Sequence, residues 1–321
     1  FFDGSPGDYV VYNDSNVVSK ALIFPTMRRG GRQVYALDVT NPAVPTLKWV
    51  RGCAGETTGS CTDADYDDIG QTWSTPVAFT VKDFVDDDDV PIPVVAFGGG
   101  YDACLDTDQA AYPCGASARG AAIFLLDAEN GALLSKIPVD APVVADLAPL
   151  DRDFDGEVDY LYAADAAGGI YRVPLNKPVD PDVDVVDPEE HWTSAVKIGQ
   201  TSGNTRRFMN RPEVFVVPQT DLVGVAIGSG DRERPLKVNY PYATPVENRF
   251  YLVLDRPVGA PIGGATLPLD LDPGESSGDL INLATFHRLS ARPAHKIHSV
   301  SHGVRCCVQS LLRRGLQVIS Q

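Results

Sequence analysis

Short apolar runs, each bounded by glycine, proline or a polar turn, recur along the first 285 residues. Val94-Val95-Ala96-Phe97 leads into Gly98-Gly99-Gly100, and Val223-Gly224-Val225-Ala226-Ile227 leads into Gly228-Ser229-Gly230. These runs are too short for ordinary helices and rich in β-branched or aromatic residues, so they predict strands. A second kind of run ends in Leu-Asp. Gly31 to Asp38 and Gly120 to Asp127 superpose directly, Arg249 to Asp255 is a looser copy, and Gly168 to Val173 fills the same role elsewhere. Apolar and polar positions alternate imperfectly, as expected for sheets covered on both faces.

The runs fall into units. Ser5-Pro6, Thr75-Pro76, Ala141-Pro142 and Arg211-Pro212 open four of them, at intervals of about 70 residues, a spacing that points to a propeller or a β-solenoid. The expected fold is all-β, a β-propeller over residues 1–285 with about four blade units visible. Longer insertions occur at Gly52 to Gly70, Asp83 to Asp89, Cys104 to Cys114 and Val179 to Glu190. They sit at matching places in the units, and inserts confined to matching turns are expected to gather on one face or rim, where such folds place binding loops.

Between two strand-like flanks, Val143 to Leu147 and Tyr160 to Ala164, lies Asp151-Arg152-Asp153-Phe154-Asp155-Gly156-Glu157-Val158-Asp159. Oxygen side chains at loop positions 1, 3, 5 and 9 with glycine at 6 match most of a calcium loop. Asp151, Asp153, Asp155 and Asp159 supply carboxylates, Glu157 a backbone carbonyl, and Gly156 the sharp turn. Position 12, where a helix-loop-helix site needs a bidentate Glu, is Tyr162. The expected element is therefore a Ca²⁺ loop between two strands of one sheet, not between two helices. Four carboxylates crowded into nine residues repel one another without a cation. Asp86 to Asp89 reads instead as a solvated hairpin tip, and Asp63, Asp65, Asp67 and Asp68 lack the turn glycine.

Charge narrows the partners. The formal net charge of −16 argues against nucleic acid and anionic lipid, since phosphate needs a basic face. No apolar stretch is long enough for a spanning helix, so no direct membrane insertion is expected. Phe1-Phe2-Asp3-Gly4 lacks a start methionine and a basic leader region, and reads as part of something longer. Cys53/Cys61 and Cys104/Cys114 each close a short loop without zinc-site spacing, so two local disulfides and an oxidising compartment are expected. Residues 286–321 differ: they hold no Asp or Glu, six of the 27 Lys and Arg, four of the five His, and Cys306-Cys307. That basic tail is expected to be poorly packed.

Four strings in order carry a family likeness: Gly31 to Pro42, Gly70 to Val77, Val94 to Asp102, and the Asp151 to Asp159 loop. Together they resemble the C-terminal propeller of the PilC/PilY type IV pilus biogenesis factors and tip adhesins. The resemblance implies a modified seven-bladed, quinoprotein-like propeller, exported through the periplasm to the outer membrane, cell surface or pilus tip. It implies calcium at Asp151, Asp153, Asp155, Glu157 and Asp159. It also implies pilins or minor pilins and host or abiotic surfaces as partners, and roles in pilus extension against retraction, twitching motility and attachment. Two alternatives share the architecture. A pyrroloquinoline-quinone dehydrogenase is calcium-dependent, but its ligands are scattered and its adjacent cysteines would here be Cys306-Cys307. An integrin-like adhesive propeller carries calcium loops in most blades, not one. No phosphate-binding glycine loop occurs, His191 is the sole histidine outside the tail, and no catalysis is expected.

Overall fold

The structure is a computed structural model that describes residues 2–55, 60–106, 119–175, 188, 192–233, 246, 248–272 and 317–320. Among these residues, seventeen strands form four sheets. The first sheet is an antiparallel meander of β1 (Gly7–Tyr12), β2 (Val18–Phe24), β3 (Arg32–Asp38) and β4 (Thr46–Cys53). The second repeats it with β5 (Val77–Phe79), β6 (Val94–Gly98), β7 (Ala122–Asp127) and β8 (Leu133–Pro138). The third contains β9 (Ala148–Leu150), β10 (Tyr160–Ala164), β11 (Gly169–Pro174) and β12 (Val196–Gln200). The fourth has β13 (Glu213–Val216), β14 (Val223–Gly228) and β15 (Phe250–Asp255). Two later strands add in parallel: β16 (Leu269–Asp270) beside β12 and β17 (Gln317–Ser320) beside β15.

The expected units are these blades. Pro6, Pro76 and Pro212 immediately precede β1, β5 and β13, while five residues separate Pro142 from β9. Every run compared with the Leu-Asp pattern is the third strand of its blade. The terminal Asp also has a job there. Asp38 accepts a hydrogen bond from Thr40 N (2.9 Å) and Asp127 accepts one from Glu129 N (2.7 Å). Each thus holds the turn into the fourth strand, as short Asx side chains do.

Alternation becomes intelligible once the blades are stacked. Val94 and Ala96 of β6 point into a core shared with the third blade, whereas Val95 and Phe97 point into one shared with the first. On β10, Leu161 and Ala163 face the second blade while Tyr160, Tyr162 and Ala164 face the fourth. Successive side chains leave a strand on opposite faces. With both faces buried, each must be apolar, which blurs the polar half of the pattern. β1 packs beside β5 and β9 beside β13, which sets the first strands innermost.

Three expectations need correction or limits. In a meander, the turn after a second strand and the linker after a fourth share one end, and the other turns share the opposite end. The Gly52–Gly70 linker after β4 and the segment opening at Cys104 after β6 therefore lie at one end. The Asp83–Asp89 turn between β5 and β6 lies at the other, so the insertions do not gather on one face. Val143 to Leu147 is not a strand; the strand begins at Ala148. Those residues cross from one blade to the next, and their backbone binds turns instead, with Val143 N donating to Gly120 O and Val143 O accepting from Gly100 N (2.9 Å each). Val179 to Glu190 lies outside the described residues except for Pro188, and so does the tail except for β17.

Cys53–Cys61 is a disulfide. Cys104 is also disulfide-bonded, while Cys114 lies outside the described residues. Asp86 to Asp89 forms the expected hairpin tip, closed by the Val85–Pro91 bridge.

Candidate metal centre

The nine-residue loop joins β9 to β10, which pair antiparallel through Leu150–Tyr160 and Ala148–Tyr162. Its shape comes from carboxylates accepting from nearby backbone N–H groups. Asp151 accepts from Phe154 N (2.6 Å) and Gly156 N (2.8 Å); Asp153 accepts from Asp155 N (3.2 Å). Asp155 accepts from Glu157 N (3.0 Å), and Asp159 closes the loop by accepting from Arg152 N (2.8 Å). Gly156 has φ +98°, a left-handed conformation that costs glycine little.

The loop is anchored to the second and third blades from below. Val158 N donates to Thr80 O (2.9 Å) and Leu175 N to Asp159 O (2.8 Å). Leu175 O in turn accepts from the indole of Trp192 (2.8 Å), whose ring meets Phe84 edge-on at 5.0 Å. The hinge of the loop thus rests on the aromatic core between these blades.

Asp151, Asp153 and Asp159 each offer a carboxylate oxygen, and the three lie within 4.8 Å of one another. The structure does not bring Asp155 into that group. Its carboxylate binds the ammonium of Lys82 (3.1 Å). Lys82 is 73 positions away, and nothing local in the sequence announced it. Glu157 is half-buried, and its backbone is held by Asp155.

The charges respond to this crowding. Burial first, then repulsion from Asp153, Asp155 and Asp151, holds the Asp159 carboxyl above its ordinary range, against the opposing Arg152 N–H. Burial and Asp155 likewise raise Glu157. The Glu157 N–H and then Lys82 lower Asp155. All the converging donors are carboxylate oxygens, with no nitrogen or sulfur. This chemistry suits a hard divalent cation of calcium's class. The other acidic group considered, around Asp63 to Asp68, winds into a short 3-10 turn capped by Asp63; among the described residues only the Asp151 loop brings three such donors together.

Comparison with known proteins now decides the family. Residues 1–200 match the PilY1 beta-propeller domain. The chain belongs to that family. It is 29% identical over 231 residues to the type IV pilus biogenesis factor PilY1 of Pseudomonas aeruginosa strain UCBPP-PA14, covering 65% of this chain and 17% of that protein. A PilY1 homolog of Xylella fastidiosa strain Temecula1 is 25% identical over 221 residues, covering 62% of this chain and 12% of that one. The chain therefore spans a small fraction of these relatives, which are named as type IV pilus biogenesis factors. The crystal structure of the Pseudomonas aeruginosa PilY1 C-terminal domain superposes with a TM-score of 0.58 at 21% identity, over 84% of this chain and 52% of that one. The PilY1 propeller is thus the fold of this chain, and the candidate loop lies within the matched residues. No helix among the described residues is long and apolar enough to cross a membrane.

Proposed function

We propose that this PilY1-family propeller is a calcium-responsive module of a type IV pilus biogenesis factor and tip adhesin. One observation carries the reading: three aspartates of one loop converge within 4.8 Å at the junction of two blades. Asp151, Asp153 and Asp159 would hold Ca²⁺, and backbone carbonyls such as that of Glu157 would complete an oxygen shell. Asp155 would join only by leaving Lys82. Bound calcium supplies the positive charge that lets like-charged side chains approach. The chain itself then fixes the loop, through Val158 on Thr80 and Asp159 on Leu175, and with it the neighbouring end of the second and third blades. Ordering these surfaces would favour docking of pilins or minor pilins and of host or abiotic surfaces. It would thereby bias extension against retraction, and so twitching motility and attachment. The module acts by binding, without catalysis, after export to the cell surface or pilus tip.

Calcium titration of the whole chain tests this. The thermal midpoint is expected to rise with calcium and fall on chelation, and Asp153→Ala is expected to abolish both responses. In the host bacterium, the same substitution should alter twitching. A midpoint indifferent to calcium would remove the basis of the proposal.

A further inference from the structure

The second and third blades have a neighbour on each side, so their exposed side chains are not left bare by an uncovered seam. Among their described residues two large apolar side chains are exposed, Val90 (54%) and Phe154 (78%). Both sit on the turn between a first and a second strand, and such turns share one end of the stack. The two turns adjoin: Val158 N donates to Thr80 O (2.9 Å), and Lys82 binds Asp155 (3.1 Å). The opposite end of these blades exposes no large apolar side chain among the described residues. Singly scattered apolar residues are ordinary, whereas apolar groups brought together inside a polar rim mark interaction sites.

Neither side chain is explained by the fold. Phe154 adopts φ +65°, a left-handed conformation that is an outlier for a bulky residue. Asparagine or glycine would take that place in the loop with less strain and without an aromatic ring in water. Asp151 nevertheless fixes the backbone there, accepting from Phe154 N (2.6 Å). Val90 is pinned just as firmly: its N–H donates to the Asp86 carboxylate (2.9 Å) and its carbonyl accepts from Asp86 N (2.9 Å). Apolar anchors on rigid turns lose little freedom when a partner covers them. Charge narrows the partner. Each turn, Lys82 to Pro91 and Asp151 to Asp159, holds five acidic residues and one basic one. Lys82 is already spent on Asp155, while Asp86, Asp87, Asp88 and Asp89 are all exposed. One calcium ion in the loop would leave both turns acidic. Such a face repels an anionic surface and draws a basic one.

We propose that Phe154 and Val90 anchor a docking face for a polypeptide whose own contact face is apolar and ringed by lysine or arginine. This gives the docking step of the proposed function a place and a partner chemistry, and it rests on that reading. The probe is a fluorescein-labelled helical peptide of about four turns, with leucine along one face and lysine on its flanks. A scrambled peptide of the same composition is the control. Titrated into the full chain and followed by anisotropy, the amphipathic peptide should bind about tenfold more tightly than the scrambled one. Phe154→Asn should weaken it about tenfold, as loss of a buried aromatic contact does, and Val90→Ser should weaken it less. Phe154→Asn relieves the strained backbone, so its thermal midpoint should equal or exceed that of the wild type, and a folding defect does not confound the test. Equal affinity for the two peptides, or undiminished affinity in Phe154→Asn, overturns the proposal. Each titration is run with calcium and with chelator, beside the thermal midpoint of the same sample. A midpoint indifferent to calcium with peptide binding intact strikes the calcium reading and leaves this face standing. A midpoint that responds to calcium, with no peptide binding, strikes this face alone.

Discussion

Asp159 and Asp155 sit four residues apart in one loop, yet their charges act on folding with opposite signs. Burial and three neighbouring aspartates raise the Asp159 carboxyl, so the folded state holds its proton more tightly than the unfolded chain. Its contribution is most favourable below the ordinary carboxylate range and is lost as pH rises through the raised folded value. At neutral pH its charge therefore opposes folding unless a cation is present. Asp159→Asn should raise the thermal midpoint of the chelated protein while removing the rise that calcium produces. Asp155 is lowered by Glu157 N–H and Lys82, so its charge favours folding at neutral pH and that benefit fades as pH falls through the folded value. Asp155→Asn should slightly lower the chelated midpoint. If both substitutions moved it the same way, the electrostatic account of the loop would be wrong. The four aspartates were legible because their spacing is local. The diversion of Asp155 was not, because Lys82 reaches it only when two blades stack.

A strand in this fold is specified on both faces, and the buried end of β15 shows the cost of a charge there. Tyr162 on β10 and Arg172 on β11 both reach Asp255 at the end of β15, with the phenol at 2.8 Å and the guanidinium at 2.5 Å. Asp255 is fully buried in the core between the third and fourth blades. Arg172→Met would leave that buried carboxylate without its cation, held by the Tyr162 phenol. Removing one partner of a buried pair costs about 3–5 kcal/mol, whereas replacing both by apolar groups is often neutral or better. Denaturant melts should therefore show a large loss for Arg172→Met and substantial recovery for Arg172→Met with Asp255→Leu. No recovery would mean that Tyr162 or the backbone, not charge, sets the cost. Strand positions were readable because runs such as Val94 to Phe97 combine β-branched residues with glycine stops. The exception, Val143 to Leu147, is as apolar as many strands but for Asp146, yet the Val143 N–H and carbonyl are taken by the glycine turns at Gly120 and Gly100. Composition records burial there, not pairing. The Leu-Asp ending likewise looked uniform, but Asp38 and Asp127 cap turns while Asp255 is drawn into a core, a difference set by the adjacent blade.

Across the whole molecule, stabilising elements differ from one inter-blade seam to the next. The seam between the first two blades carries the disulfide loop with Arg32 and the indole of Trp49, which donates to Ala128 O (3.0 Å). The seam between the second and third carries the acidic loop, with Thr80 and Lys82 on one side and Leu150, Asp159 and Leu175 on the other. A cation in that loop can stabilise only by preferring the ordered form, by about 2.7 kcal/mol at a hundredfold excess over its dissociation constant. The effect should be local, because segments of a fold open with different free energies and only those coupled to the loop gain from its ordering. Hydrogen exchange should therefore slow on adding calcium at Val158, whose amide donates across this seam to Thr80 O, and at Asp159 and Leu175, whose amides donate to Leu150 O and Asp159 O beside it. The β3–β4 ladder of the first blade, from Arg32 to Cys53, should keep its rates unless it opens only by global unfolding. Comparing exchange at a denaturant concentration where local openings dominate separates the two cases. Protection spread evenly over all four blades would show the loop acting on the fold as a whole, and protection confined to Asp151 to Asp155 would show it uncoupled from the blades. In either case the seam between the second and third blades would not be the element through which calcium reaches a docking surface.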